Sequence, residues 1–149
     1  MKERSTKMAS RSLDDLHPDL RPVCLAWLKE AQNQNLNPLI VCTYRSAAEQ
    51  NELYKLGRTK KSHVGVTARR PLGKVVTKAK GGQSAHNFEI NGKPASRAFD
   101  FVPLVGGKPQ WDDSHPHWDK LGKIGQKLGL VWYGDPKAEF FEKGHFQLP

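Results

Sequence analysis

A chain of 149 residues with 37% hydrophobic and 26% charged residues has the size and make-up of one globular domain, not of a disordered segment or a two-domain protein. A formal net charge of +9 favours anionic partners such as nucleic acid, an anionic membrane or the bacterial cell wall. Two cysteines, Cys24 and Cys42, are too few for a disulfide framework and are not spaced as a zinc pair, so two buried thiols are expected.

The charged start, Met1 to Met8, has no apolar stretch behind it, and no run is long enough to span a bilayer. The expectation is a protein without signal peptide or membrane anchor, kept in the cytoplasm of the producing cell until something releases it. Residues 1–11 read as a loose N-terminus. Apolar positions Leu13, Leu16, Leu20, Val23, Trp27 and Leu28 have helical spacing and predict a helix over 18–33. Pro18 suits its first turn, and Pro22 can delay its start.

Residues 39–44 are apolar and β-branched behind Pro38, the pattern of a buried strand. Ser46 and Glu49 have capping-box spacing, which predicts a helix over 47–56 stopped by Gly57. Arg45 falls at the strand-to-helix junction, where a side chain can be aimed rigidly into a cleft.

From Lys55 to Lys80 there are nine Lys or Arg residues and no acid. With its glycines this part reads as a long basic loop over 57–83, with a short strand at 75–77. Asn91-Gly92 predicts a small hairpin from 86–90 and 93–97. Residues 97–105 read as a strand whose far end, at Pro103, lies at an edge or outside the ladder. Asp113 or Ser114 would cap a helix carrying Trp118, Leu121, Ile124 and Leu128 and ending at Gly129. Strands over 130–133 and 144–148 complete the chain.

The predicted fold is α+β: a single compact domain over 1–149, a small antiparallel sheet packed with about three helices, and a zinc site in a cleft on the sheet. No second domain is expected.

Two histidines and two carboxylates stand out for chemistry. Two imidazoles and one carboxylate, from His86, His145 and Asp100, make a catalytic zinc set with one position left open. Asp100 sits among Ala98, Phe99, Phe101 and Val102, where an acid is costly unless paired or metal-bound. Glu142, three residues before His145, is within reach as a general base. His115-Pro116-His117 is a competing metal pair but has no carboxylate placed opposite it.

The series Tyr44-Arg45-Ser46, Glu49-Gln50, Gly81-Gly82-Gln83-Ser84, His86, Asp100 and Gly144-His145-Phe146-Gln147 resembles a known family. It is similar to the zinc D-Ala-D-Ala carboxypeptidases and dipeptidases, and more closely to phage endolysins acting as L-alanyl-D-glutamate peptidases. The resemblance covers most of the chain. It implies one Zn2+ per chain held by His86, Asp100 and His145, and Glu142 as general base. Arg45 is implied as the cation for substrate and oxyanion, and Ser84 as a substrate-contacting or supporting hydroxyl. It further implies hydrolysis of the L-Ala-D-Glu bond in peptidoglycan, lysis of the host cell, a holin-type release partner, and a monomer.

The thirteen residues between His86 and Asp100 are more than the family usually has. A hairpin insertion around Asn91-Gly92 would absorb them. Glu89 is the rival third ligand, and Arg97-Ala98-Phe99-Asp100 favours Asp100. Two other readings compete. One is a carboxypeptidase or dipeptidase acting on D-Ala-D-Ala. The other is a basic zinc-containing nucleic-acid-binding module, disfavoured because no aromatic residue lies between Tyr54 and Phe88 for base stacking.

Overall fold

The structure, a computed structural model, describes residues 9–62, 64–138 and 141–149. Most of the expected loose start, residues 1–8, lies outside them. Ser10 is not loose: its N–H donates to Tyr44 O, and its carbonyl accepts from Thr43 N.

Helix α1 spans Arg21–Asn33, three residues later than the spacing predicts. The reason is Pro22, which lies in the first turn of the observed helix and leaves 17–20 as a preceding turn. Its buried residues Cys24, Trp27 and Ala31 form one stripe. Helix α2, Ala47–Lys55, begins with the full capping box: Glu49 N donates to Ser46 Oγ, and Ser46 N donates to Glu49 Oε1. Helix α3, Pro116–Lys127, is capped by His115, not by Asp113 or Ser114. His117 N donates to His115 Nδ1, and Pro116 takes the first helical position, where its missing N–H costs nothing.

The strands are β1 (Pro38–Cys42), β2 (Glu89–Ile90), β3 (Lys93–Pro94), β4 (Ala98–Val105), β5 (Lys108–Pro109), β6 (Val131–Trp132) and β7 (His145–Gln147). The main sheet runs β1-β4-β7-β6, with β5 also on β4, and its ladders are antiparallel. The Asn91-Gly92 hairpin forms as expected but pairs only β2 with β3, both turn residues having positive φ. No strand forms at 75–77. Pro103 is not outside the ladder: it pairs with Pro38 inside β4. It is tolerated there because β7 reaches only as far as Asp100, so no β7 partner needs the missing N–H.

Alternation along β4 sends Phe99 and Phe101 to one face. There they meet Trp27, at ring-centroid distances of 5.3 and 5.0 Å, together with Phe146. Trp27 Nε1 also donates to Leu121 O, joining α1 to α3 under the sheet. Gly125 lets α3 approach closely, since a Cβ there would lie 2.2 Å from the Phe146 ring. Helices α1 and α3 thus fill one face, and Asp100 is left on the other.

Candidate metal centre

The site is built where β4 meets its two neighbours. Asp100 stands opposite His145 on β7 and opposite Cys42 on β1. The register of β1 slips at Val41, between Ile40 and Cys42. That bulge turns Cys42 toward Asp100.

His86 comes from a short 3-10 turn, Ala85–Asn87, that the sequence reading assigned to a strand. Ser84 caps this turn, its Oγ accepting from His86 N. Asn87 is a buried anchor with no role in the sequence reading. Its side chain donates to Arg45 O and accepts from Ser84 N and Gly82 N. Arg45 N donates to His86 O. The His86 turn and the start of α2 are thereby held as one piece.

Three donor groups converge. His86 Nε2 is 3.1 Å and His145 Nδ1 2.8 Å from the same oxygen, Asp100 Oδ1. The outer nitrogens are also satisfied: His86 Nδ1 by Thr43 O at 2.8 Å, and His145 Nε2 by Gln147 Oε1 at 2.9 Å. Four ring nitrogens thus meet three oxygens, Asp100 Oδ1, Thr43 O and Gln147 Oε1, with the two inner nitrogens sharing Asp100. A divalent cation held by the inner nitrogens and Asp100 would leave the outer hydrogen bonds to orient the rings. The donors present therefore fit a metal of the zinc type.

The electrostatics agree. Desolvation works against charge on Asp100, but the two imidazoles outweigh it and hold its carboxyl well below the ordinary carboxylate range. Desolvation likewise opposes charge on His145, and its bond to Asp100 outweighs that, raising its pKa.

Glu142 precedes β7 in a loop and is not part of the last strand, its N–H donating to Tyr133 O. The residue as a whole is exposed, yet its carboxyl is dehydrated and repelled by Asp100, which pushes its pKa up to about 7. Arg45 Nη2 lies 3.8 Å from Asp100 Oδ2 and 3.4 Å from Cys42 Sγ. Its Nη1 donates to Gln50 Oε1 at 2.9 Å. Gln50 is fully buried and also donates to Thr77 Oγ1 and Ala79 O, so it fixes both Arg45 and the end of the basic loop. A cleft of about 1170 Å³ opens beside these groups, lined among others by Cys42, Arg45, Glu49, Leu53 and Asp100.

The structure brings together His86, Asp100, His145 and Arg45, with Glu142 electrostatically coupled to them. Glu89 is elsewhere, on β2, bonded to the Tyr44 hydroxyl. His115 and His117 serve the start of α3, and no acid joins them in a ligand group among the described residues.

Cys42 is the residue that sequence reasoning left out. Its thiol forms a ligand-type cluster with His86 and Asp100, all within 4.8 Å of one another. Burial first, and then Asp100, push the thiol up to about 12, so in the metal-free site it is neutral. Its place in an apolar strand read only as core, because the bulge that aims it leaves no mark in the sequence.

No protein-family model matches the chain. It is 32% identical over 142 residues to the peptidoglycan L-alanyl-D-glutamate endopeptidase CwlK of Bacillus subtilis (strain 168), covering 90% of this chain and 74% of that protein. The chain belongs to this endopeptidase family.

Solved structures show the same fold. The L-Ala D-Glu endopeptidase ChiX of Serratia marcescens superimposes with a TM-score of 0.61 at 20% identity, covering 95% of this chain and 89% of that one. The LdcB LD-carboxypeptidase does so at 0.59 and 16% identity, covering 89% of this chain and 58% of that one. Among the described residues no helix is long and apolar enough to cross a membrane.

Proposed function

We propose that this endopeptidase-family member is a zinc-dependent peptidoglycan peptidase that hydrolyses the L-Ala-D-Glu bond of stem peptides. The observation that carries the reading is the convergence of two imidazole nitrogens from distant segments on one oxygen of Asp100. His86, Asp100 and His145 would hold the ion. Zinc held there would supply Lewis acidity at the scissile carbonyl and would favour the ionised form of nearby acids.

The remaining work falls to the chain's own groups. Glu142, with its pKa near 7, takes a proton from the attacking water at its carboxylate. As the C–N bond breaks, it returns that proton to the leaving amine. Arg45, held by Gln50, presents its guanidinium to the developing oxyanion or to a substrate carboxylate. Ser84 keeps the His86 turn in place and has its own O–H left to donate to substrate.

In this reading the enzyme acts as a monomer and as an endolysin, lysing the host cell from the cytoplasmic side after a holin-type partner has opened a route. The family resemblance supports that role.

The test is digestion of purified peptidoglycan, with identification of the new amino terminus. A new D-Glu amine is expected. Released D-Ala would make it a D,D-carboxypeptidase instead. No new amine, together with tight DNA binding, would favour the nucleic-acid-binding module.

A further inference from the structure

The basic loop has a structured outer part. Ser62 N donates to Leu72 O and Lys74 N donates to Val64 O, so two limbs run side by side. Thr67 and Arg70 exchange N–H to O bonds in both directions and close a tip at Ala68-Arg69. The root is packed: Ser62 is fully buried, and a Cβ on Gly73 would meet Val64 O at 2.7 Å. From 64 to 72 every residue is exposed.

This projecting part combines two kinds of side chain. Arg69 and Arg70 are at the tip, with Lys61 and Lys74 at the base, and none of the four has an acidic partner among the described residues. Lys60 differs, being paired with Glu52 at 2.8 Å. Beside these cations are Val64 and Val66, 52% and 42% exposed, and Leu72 at 36%. Folding gains nothing from leaving three aliphatic side chains in water on one projection.

We propose that the exposed tip of this loop, residues 64–72, is a docking element for an anionic lipid surface. Cations bind anionic headgroups, and aliphatic side chains beside them enter the boundary beneath. A purely polar polyanion, such as a phosphodiester polymer, would reward the arginines but not the valines. Nucleic-acid bases and sugar rings are most often met by aromatic side chains, and residues 64–72 include no Phe, Tyr, Trp or His. The root is tied to α2, where Arg58 Nη1 donates to both Tyr54 O and Thr77 O. A surface held at the tip is thereby set at a fixed distance from the cleft beside Arg45.

The test is co-sedimentation of the full chain with vesicles of phosphatidylglycerol and phosphatidylethanolamine, compared with vesicles of phosphatidylcholine alone. Binding to the anionic vesicles only is expected. Arg69→Gln with Arg70→Gln should weaken it about thirtyfold. Val64→Ser with Val66→Ser should weaken it about tenfold. Both variants should melt like the wild type and hydrolyse a soluble stem peptide at the wild-type rate, which separates docking from the peptidase reading. Wild-type binding by the serine variant would make the contact purely electrostatic and overturn the proposal. Equal binding to both vesicle types, or to neither, would also overturn it. So would loop-dependent binding found only with DNA or purified wall.

Discussion

Asp100 and His145 face each other across the β4–β7 ladder, with His145 Nδ1 2.8 Å from Asp100 Oδ1. The pair is set by strand register, so a one-residue slip of either strand would turn that strand's member of the pair toward the aromatic core. The centre is therefore as rigid as the sheet, and only His86 depends on a loop for its position.

Replacing Asp100 with Ala should weaken zinc binding by more than about a hundredfold, since even indirect supports of a metal ligand carry tenfold to a hundredfold. Glu89→Ala should leave affinity unchanged, because Glu89 is bonded to Tyr44 on the β2–β3 hairpin. Competition with a chromophoric chelator measures both. The reverse result would move the third ligand into the insertion.

Glu142→Gln keeps the size of the side chain and removes its base. It should retain zinc and lose about two to four orders of magnitude in kcat, with little change in KM. A variant that lyses wall at the wild-type rate would remove Glu142 from the proton path.

Gln50→Ala leaves Arg45, Thr77 and Ala79 without their shared partner in a buried place. The expected loss of stability is about 1–3 kcal/mol, seen as a lower urea midpoint. Activity should fall further than stability explains, because Arg45 loses its aim. Gln50→Glu, which keeps the bond to Arg45, should recover part of kcat; equal activity in the two variants would argue against positioning.

The metal-free protein should have a stability window that the zinc-loaded protein lacks. The raised pKa of His145 contributes stability that is full below the unfolded value of about 6.5 and is lost as pH rises through the folded value. The lowered pKa of Asp100 contributes stability present above about 3.9 and lost as pH falls toward its folded value. After chelation, the urea midpoint should thus be higher near pH 5 than at alkaline pH. A flat profile would contradict the pairing.

Local signals in the sequence located most of the elements. The Ser46–Glu49 box, the Asn91-Gly92 turn and the apolar spacing of α1 and α3 each act within a few residues, so they are readable without the fold. His86, Asp100 and His145 were also named, because an acid within an apolar strand and two histidines in matching motifs stand out as residue types. The start of α1 moved with Pro22, which the sequence reading had allowed to delay it, and the cap of α3 fell one residue on, to His115. The fate of 75–77 was decided at long range, by contacts with Gln50 and Arg58.

What only the tertiary structure decided is which donors meet. Asp100 rather than Glu89 reaches the histidines because β4 lies between β1 and β7, whereas β2 belongs to a separate two-stranded sheet. Cys42 joins them through a bulge, and Asn87 binds the Arg45 carbonyl from a stretch of chain that shares no local pattern with it. Sequence determines the chemistry available at each position; strand order and register are long-range choices, and they bring that chemistry to a single point.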